Sequence, residues 1–276
     1  MKRVGMIGLG EMGLPMAKNL VRRGFEAVGF DLRGDPCRAL AQAGGHAATT
    51  AAEAARLADA VVVMVRTPAQ AEQVVLGEDG VLAQAKPGAT VIVMSTIGVG
   101  PMRRLGTAAR EREFPFLDAP VSGGRARAED GTLTIIVGAA PKDLAPALPV
   151  LEAMGSQIEH VGDVGAGTAV KMANQVLLTV SFLAAREVAA MAETTGVPIE
   201  RLWEVLKTCT GTTWVVEHWS TARTWIESDQ TGKATLDILV KDTGLALDFA
   251  RDSGVPARLL PLAAQMIQEL TRQIGG

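Results

Sequence analysis

Along the first half of the chain, short apolar runs alternate with segments whose apolar residues recur at helical spacing. Runs 4–9, 27–31, 60–65, 90–95 and 116–119 are compact and often β-branched, and 132–137 adds another. Between them lie 12–23, 51–57, 101–112 and 141–154, which are amphipathic or Ala-rich. Near-continuous apolar strands separated by helices predict a parallel sheet covered on both faces. After about residue 165 the strand signal stops. Positions 168–195 contain neither Pro nor Gly, and Gly196 and Pro198 end the window. At 1.5 Å per residue that helix would reach roughly 40 Å. Its middle, 175–185, is apolar on most sides, which predicts burial all round. Segments 199–208, 236–252 and 257–273 also read as helices, the last two separated by Gly254 and Pro256. The pattern predicts an α/β chain: an N-terminal Rossmann-type doubly wound sheet over 1–163, a long connecting helix over 164–195, and an all-α domain over 196–276.

The composition narrows the chemistry. The chain has 276 residues, 48% of them hydrophobic and 21% charged, enough for a sizeable core. It contains no Tyr, and its three His (His46, His160 and His218) lie far apart. Neither Cys37 nor Cys209 belongs to a CxxC pair, so no metal site is expected, and two lone Cys fit a reducing compartment. A net charge of −3 offers no footprint for nucleic acid. The N-terminus reads as a first strand rather than a signal peptide. The apolar run 176–185 is shorter than the ~20 residues of a membrane span. The expectation is a soluble cytoplasmic protein with no membrane partner.

Gly8-Leu9-Gly10-Glu11-Met12-Gly13 follows the first strand and opens a helix, the context that the GxGxxG fingerprint requires. Gly8 would permit a tight turn, Gly10 would let the backbone approach a pyrophosphate, and Gly13 would let the helix pack close to the strand. The helix N-terminus then offers free amides and partial positive charge, and Pro15 suits its first turn. Asp31 ends the second strand about 20 residues on, where a carboxylate accepts from the ribose diol and repels a 2′-phosphate. Arg33 is the counter-indication, because a nearby arginine can bind that phosphate. With Asp31 at the strand end itself, NAD is favoured over NADP.

Two further segments carry chemistry. Asp118-Ala119-Pro120-Val121-Ser122-Gly123-Gly124 lies just past the C-terminal end of a strand, where open α/β sheets bind ligands. The Ser122 hydroxyl and the Gly123 and Gly124 amides would suit a carboxylate; a sharp turn that merely needs glycine is the competing reading. Lys171, Asn174 and Gln175 stand three and four apart at the start of the long helix and are read as sharing one face. A lysine entering that apolar helix is partly desolvated, which lowers its pKa toward a useful range for proton transfer.

GLGEMGLPMAKNL, DAPVSGG, GAGTAVKMANQ and LVKDTGLAL together resemble the β-hydroxyacid dehydrogenase family, over nearly the whole chain and in the right order. The resemblance implies hydride transfer between NAD and a small β-hydroxyacid or the matching aldehyde acid, with Lys171 as acid/base. It implies that Ser122, Gly123 and Gly124 bind the substrate carboxylate and that Asn174 positions the substrate. Thr96 and Lys241 would line the nicotinamide end, and Val65 and Arg66 would touch cofactor, with Gly8, Leu9, Gly10, Glu11, Met12, Gly13 and Asp31 forming the dinucleotide turn. Trp214 and Trp219 fall where the helical domain closes over substrate in relatives, and they read equally well as core aromatics. Arg125 and Arg127 are either surface charges or selectors of a second anionic group. Asn174-Gln175 departs from the Asn-Asn of many hydroxyisobutyrate enzymes toward tartronate semialdehyde reductases. Met64-Val65-Arg66-Thr67-Pro68 stands where many relatives have Leu-Pro. A homodimer or homotetramer is the implied assembly. An imine reductase-like enzyme would usually lack Lys171. A non-catalytic dinucleotide-binding regulator would not need Ser122, Lys171 and Asn174 together. Absence of Tyr also excludes the Tyr–Lys pair of short-chain dehydrogenases.

Overall fold

In the computed structural model, which describes residues 1–227 and 230–274, the apolar runs of the first half are strands and most segments between them are helices. In chain order the elements are β1 (Arg3–Ile7), α1 (Gly13–Arg22), β2 (Glu26–Phe30), α2 (Gly34–Gln42), β3 (His46–Ala47), α3 (Ala51–Arg56), β4 (Ala60–Val63), α4 (Pro68–Leu76), α5 (Val81–Gln84), β5 (Thr90–Val93), α6 (Val99–Glu111), β6 (Phe116–Asp118), β7 (Val121–Ser122), α7 (Gly124–Asp130), β8 (Leu133–Gly138), α8 (Pro141–Glu152) and β9 (Gly155–Gly162). The helical half follows with α9 (Ala166–Glu193), α10 (Ile199–Leu206), α11 (Trp214–Glu217), α12 (Trp219–Ala222), α13 (Thr224–Glu227), α14 (Gln230–Asp252) and α15 (Leu259–Ile274). The chain divides into two compact units, Met1–Lys171 and Met172–Gly276, and the division falls inside α9.

In the first unit the sheet order is β3-β2-β1-β4-β5-β6-β8-β7, with β9 also paired to β8. Strands β1 to β6 are all parallel. The chain winds outward from β1 in one direction and from β4 in the other, so the order reverses between them. Every residue of β4 and β5 is buried. Alternate side chains feed two apolar clusters, one with Met6, Val62, Ile92 and Leu117, the other with Ile7, Val63, Val93 and Phe116. That explains why these strands read as continuous apolar runs: both faces are covered.

The expected parallel sheet holds through β6, and beyond it the sheet is mixed. β8 runs antiparallel to β6 and β7, while β9 is parallel to β8. The cause is connection length. Only residues 123–132 join β7 to β8, and a return for parallel pairing takes a crossover of about a dozen or more. β9 pairs only with β8 and leaves most of its side chains partly or fully exposed. It therefore carries no apolar alternation that sequence reading could detect.

The second unit is built around a core of Phe182, Trp203, Val215, Leu236, Leu239 and Ile267. α9 occupies Ala166–Glu193 of the expected 164–195. Its expected burial all round is not found. Met172, Gln175, Thr179, Phe182 and Leu183 are buried, while Leu177 is 69% and Met191 68% exposed. A helix packed on one side buries one stripe, and apolar residues on the other face tolerate solvent. The judgement that the apolar run is too short for a bilayer concerned 176–185 alone. The whole of α9 is long and apolar enough by length and composition, but its inner stripe belongs to the folded core just described.

Candidate active site

The C-terminal ends of β1, β2, β4, β5 and β6 stand in a row along one edge of the sheet, and the first-half candidates follow them. After β1 the chain turns at Gly8, whose φ is +92° and whose amide donates to Phe30 O at 2.9 Å. A Cβ on Gly8 would stand 2.2 Å from Met64 O, and one on Gly13 would stand 2.0 Å from Gly8 O. Only glycine fits at either place. A Cβ on Gly10 would meet nothing nearer than the Arg33 guanidinium, 4.0 Å away, so the middle of the turn has an open backbone. Glu11 is exposed and Met12 packs partly against the core.

Asp31 is tied to this turn. Its Oδ2 accepts from Leu9 N at 2.9 Å, and its Oδ1 accepts from Arg33 N at 2.9 Å and Arg33 Nε at 3.0 Å. Burial pushes the Asp31 carboxyl up, but the Arg33 guanidinium and the two backbone amides outweigh it and hold the group below its ordinary value. The strand end thus presents an ionised carboxylate. The Arg33 guanidinium, the counter-indication in the sequence, is paired with Asp31. An open glycine turn and a fixed carboxylate fit a dinucleotide.

After β4, Val65 N donates to Ser95 Oγ at 2.7 Å, stitching the ends of β4 and β5 together. Arg66 N and Thr67 N both donate to Gln70 Oε1, at 3.0 and 3.1 Å, while Gln70 N donates to Thr67 Oγ1 at 3.2 Å. This capping box, with Pro68 at the helix start, fixes the loop that carries Val65 and Arg66. Thr96 follows Ser95 and is partly buried. Sequence reading named Thr96 and missed Ser95.

Asp118 ends β6 with no solvent exposure. Its Oδ2 accepts from Gly165 N at 3.0 Å and Thr168 N at 2.9 Å, and its Oδ1 accepts from Thr168 Oγ1 at 2.6 Å. Burial pushes this carboxyl up to about 6 despite those donors. Ser122 ends β7 opposite Thr134 of β8. Gly123 and Gly124 have φ of 129° and 67°, so the turn itself demands glycine whatever the loop binds. Arg125 is exposed and pairs with Glu129 at 2.8 Å. The stem of Arg127 covers Gly123, where a Cβ would stand 2.7 Å from Arg127 Cδ. Lys171 lies one turn beyond Thr168 and is only 9% exposed.

The remaining candidates belong to the second unit. Gln175 Nε2 donates to Asp242 Oδ2 at 2.9 Å, and Asn174 Nδ2 donates to Gln175 Oε1 at 3.1 Å. Lys241 Nζ lies 2.5 Å from Asp242 Oδ1. Asn174 and Lys241 are therefore held through one buried aspartate that sequence reading quoted in a motif without giving it a role. Lys171, Asn174 and Gln175 keep the spacing of neighbours on one side of α9, but they differ in burial. Lys171 and Gln175 are buried and Asn174 is exposed, because positions three and four along a helix diverge by about 100°. Trp214 is 46% exposed and stacks on His218, with ring centres 4.6 Å apart. Trp219 packs on Trp203 at 4.6 Å, a core aromatic. Among the described residues no three His, Cys, Asp or Glu side chains cluster as metal ligands would.

Known proteins supply the rest. Residues 3–162 match a family model described as the NAD binding domain of 6-phosphogluconate dehydrogenase. Residues 165–276 match one described as NAD-binding of NADP-dependent 3-hydroxyisobutyrate dehydrogenase. The chain is 37% identical to an NAD-dependent L-serine dehydrogenase of Pseudomonas aeruginosa, over 99% of this chain and 93% of the relative. It is 35% identical to an L-threonate dehydrogenase of Escherichia coli K12, over 97% and 88%. It superposes with a TM-score of 0.90 and 32% identity on a 3-hydroxyisobutyrate dehydrogenase of Mycobacterium tuberculosis with L-serine, covering 100% of this chain and 95% of the other. Two family models spanning nearly the whole length, joined to a glycine turn with an ionised strand-end carboxylate, lead to one conclusion: this chain belongs to the β-hydroxyacid dehydrogenase family, NAD-dependent oxidoreductases of the CH–OH group.

Proposed function

We propose that Lys171 is the general acid/base for oxidation of a small β-hydroxyacid of the 3-hydroxyisobutyrate, glycerate or serine type, or for reduction of the matching aldehyde acid. The observation that carries this reading is Lys171 itself, nearly buried on α9 one turn beyond Thr168, which bonds Asp118 of β6. Ser122 Oγ and the Gly123 and Gly124 amides hold the substrate carboxylate, Asn174 orients the substrate, and Trp214 helps exclude water from it. Gly8, Leu9, Gly10, Glu11, Met12 and Gly13 cradle the cofactor pyrophosphate, and Asp31 accepts from its ribose diol. Val65, Arg66, Thr96 and Lys241 contribute to the rest of the cofactor site. NAD, when bound, supplies the hydride acceptor, so the protein needs to position groups and move one proton. Lys171 Nζ takes the hydroxyl proton on oxidation and returns it on reduction.

The Asp31–Arg33 pair supports NAD over NADP, since a carboxylate at the strand end repels a 2′-phosphate. A cytoplasmic homodimer or homotetramer completes the proposal. The test is a panel of β-hydroxyacids, including L-serine and L-threonate, with NAD or NADP at alkaline pH, following reduced cofactor by absorbance. Lys171→Ala should lower kcat by about 10²-fold or more, the scale of lost acid–base catalysis. Near wild-type turnover in that variant would remove the role. NAD binding without turnover on any panel member would favour a non-catalytic regulator instead.

A further inference from the structure

A base carried on a helix is only as well placed as the first turn of that helix, whose amides have no partners within it. In α9 Ala166 N is met locally by Asp163 O, but Thr168 N and, just before the helix, Gly165 N find their partner on a distant strand. Gly165 N and Thr168 N converge on Asp118 Oδ2, and Thr168 Oγ1 donates to Asp118 Oδ1, so one carboxylate from β6 makes three bonds to the start of α9. The contact between helix and sheet is direct. A Cβ on Gly167 would stand 2.6 Å from Ile136 O and 2.8 Å from Asp118 O, so the helix backbone lies against β6 and β8. Ser122 on β7 is paired to that same β8. The base and the proposed carboxylate loop are thus both referenced to one pair of strands.

Capping alone would be served by a single Ser or Thr hydroxyl, which cannot make three bonds through two polar atoms. Instead a carboxylate with no solvent exposure occupies the place, a group that fully buried surroundings disfavour unless it is thoroughly bonded. We propose that Asp118 is a positioning residue for catalysis, clamping the first turn of α9 to β6 so that Lys171 Nζ is held at a fixed place relative to the loop Ser122–Gly124. It acts through Lys171 and touches neither substrate nor cofactor. The inference rests on the Lys171 reading above.

Three variants of the full chain test it, beside Lys171→Ala. Asp118→Asn keeps one oxygen for both backbone amides and can donate to Thr168 Oγ1, so it should retain kcat within about threefold. Asp118→Ala removes all three bonds and should lower kcat about tenfold to hundredfold, the cost of misplacing a reacting group by an ångström or less. KM for the fastest hydroxyacid of the panel and the dissociation constant for NAD should stay within about twofold, the signature of an interaction lost only in the transition state. Thr168→Val deletes a single bond and serves if Asp118→Ala fails to fold; it should lower kcat at least about threefold with KM unchanged. Wild-type kcat in Asp118→Ala and Thr168→Val, with Lys171→Ala inactive, overturns this inference alone. So does a fall in kcat accompanied by equally weakened NAD binding, which marks a general loosening of the fold. Wild-type turnover in Lys171→Ala overturns the reading on which it rests.

Discussion

Gly13→Ala is the sharpest probe of the dinucleotide turn. The added methyl would stand 2.0 Å from Gly8 O, 3.0 Å from Gly8 C and 3.2 Å from Met6 Cε. Two of those three atoms are backbone, so no side-chain rotation relieves the overlap. The start of α1 must move off the end of β1 by about 1 Å, an overpacking strain on the order of 1–3 kcal/mol. The residues disturbed are those that orient the turn: Gly8, whose amide bonds Phe30 O, and Leu9, whose amide bonds Asp31 Oδ2. If half of that strain falls on the cofactor-binding conformation, NAD affinity drops by about twofold to tenfold. Titration with NADH, following its fluorescence, measures the loss. Denaturant unfolding of the same variant reports how much strain the free protein absorbs. The helical half should keep its structure, because its core of Phe182, Trp203 and Leu236 lies in the other unit. NADH affinity within twofold of wild type, together with an unchanged unfolding midpoint, would refute the close-packing account.

Other consequences are open to direct measurement. Asp31→Ser removes the carboxylate that Arg33 and Leu9 N share; NAD should bind about tenfold more weakly while NADP gains relative to it. An unchanged ratio of the two affinities would show that Asp31 does not discriminate between them. Asp118, pushed up to about 6 from an ordinary 3.8, binds its proton more tightly in the folded state than in the unfolded one. Its contribution is complete below pH 4 and lost as the pH rises through 6, about 3 kcal/mol in all. Urea unfolding of wild type and Asp118→Asn between pH 4 and 7 should give a difference curve that falls with pH, and a flat one would contradict the burial argument. Phe182→Ala empties the largest fully buried side chain among the described residues, which also meets Trp225 at 5.1 Å. A loss of about 3–5 kcal/mol in unfolding free energy is expected.

Much of the candidate site was legible because the backbone demands of its turns are local. The Gly8–Gly13 turn, the Asp31 strand end and the Ser122–Gly124 turn each answer to a constraint met within a few residues: a tight turn, an open backbone, a positive φ. Strands β4 and β5 were equally legible, since burial on both faces leaves an unbroken apolar run. Ser95, Gln175 and Asp242 were not assigned roles, because their bonds join segments 30 to 67 residues apart in the chain. β9 escaped notice for a different reason: an edge strand with exposed side chains carries no pattern at all.

By itself, then, the sequence determined the two-part architecture and the glycine turn that opens α1, and it singled out Lys171 as the candidate for proton transfer in a chain with no Tyr and three scattered His. These follow from periodicity and residue type, which the covalent order of the chain already contains. Only the tertiary structure decided that β8 runs against β6, that α9 buries one stripe and exposes another, and that Asp118 holds the start of that helix. Each of these depends on which distant surface a segment meets. Spacing along the chain carries no record of the burial, pairing or shared hydrogen bond that such a meeting creates.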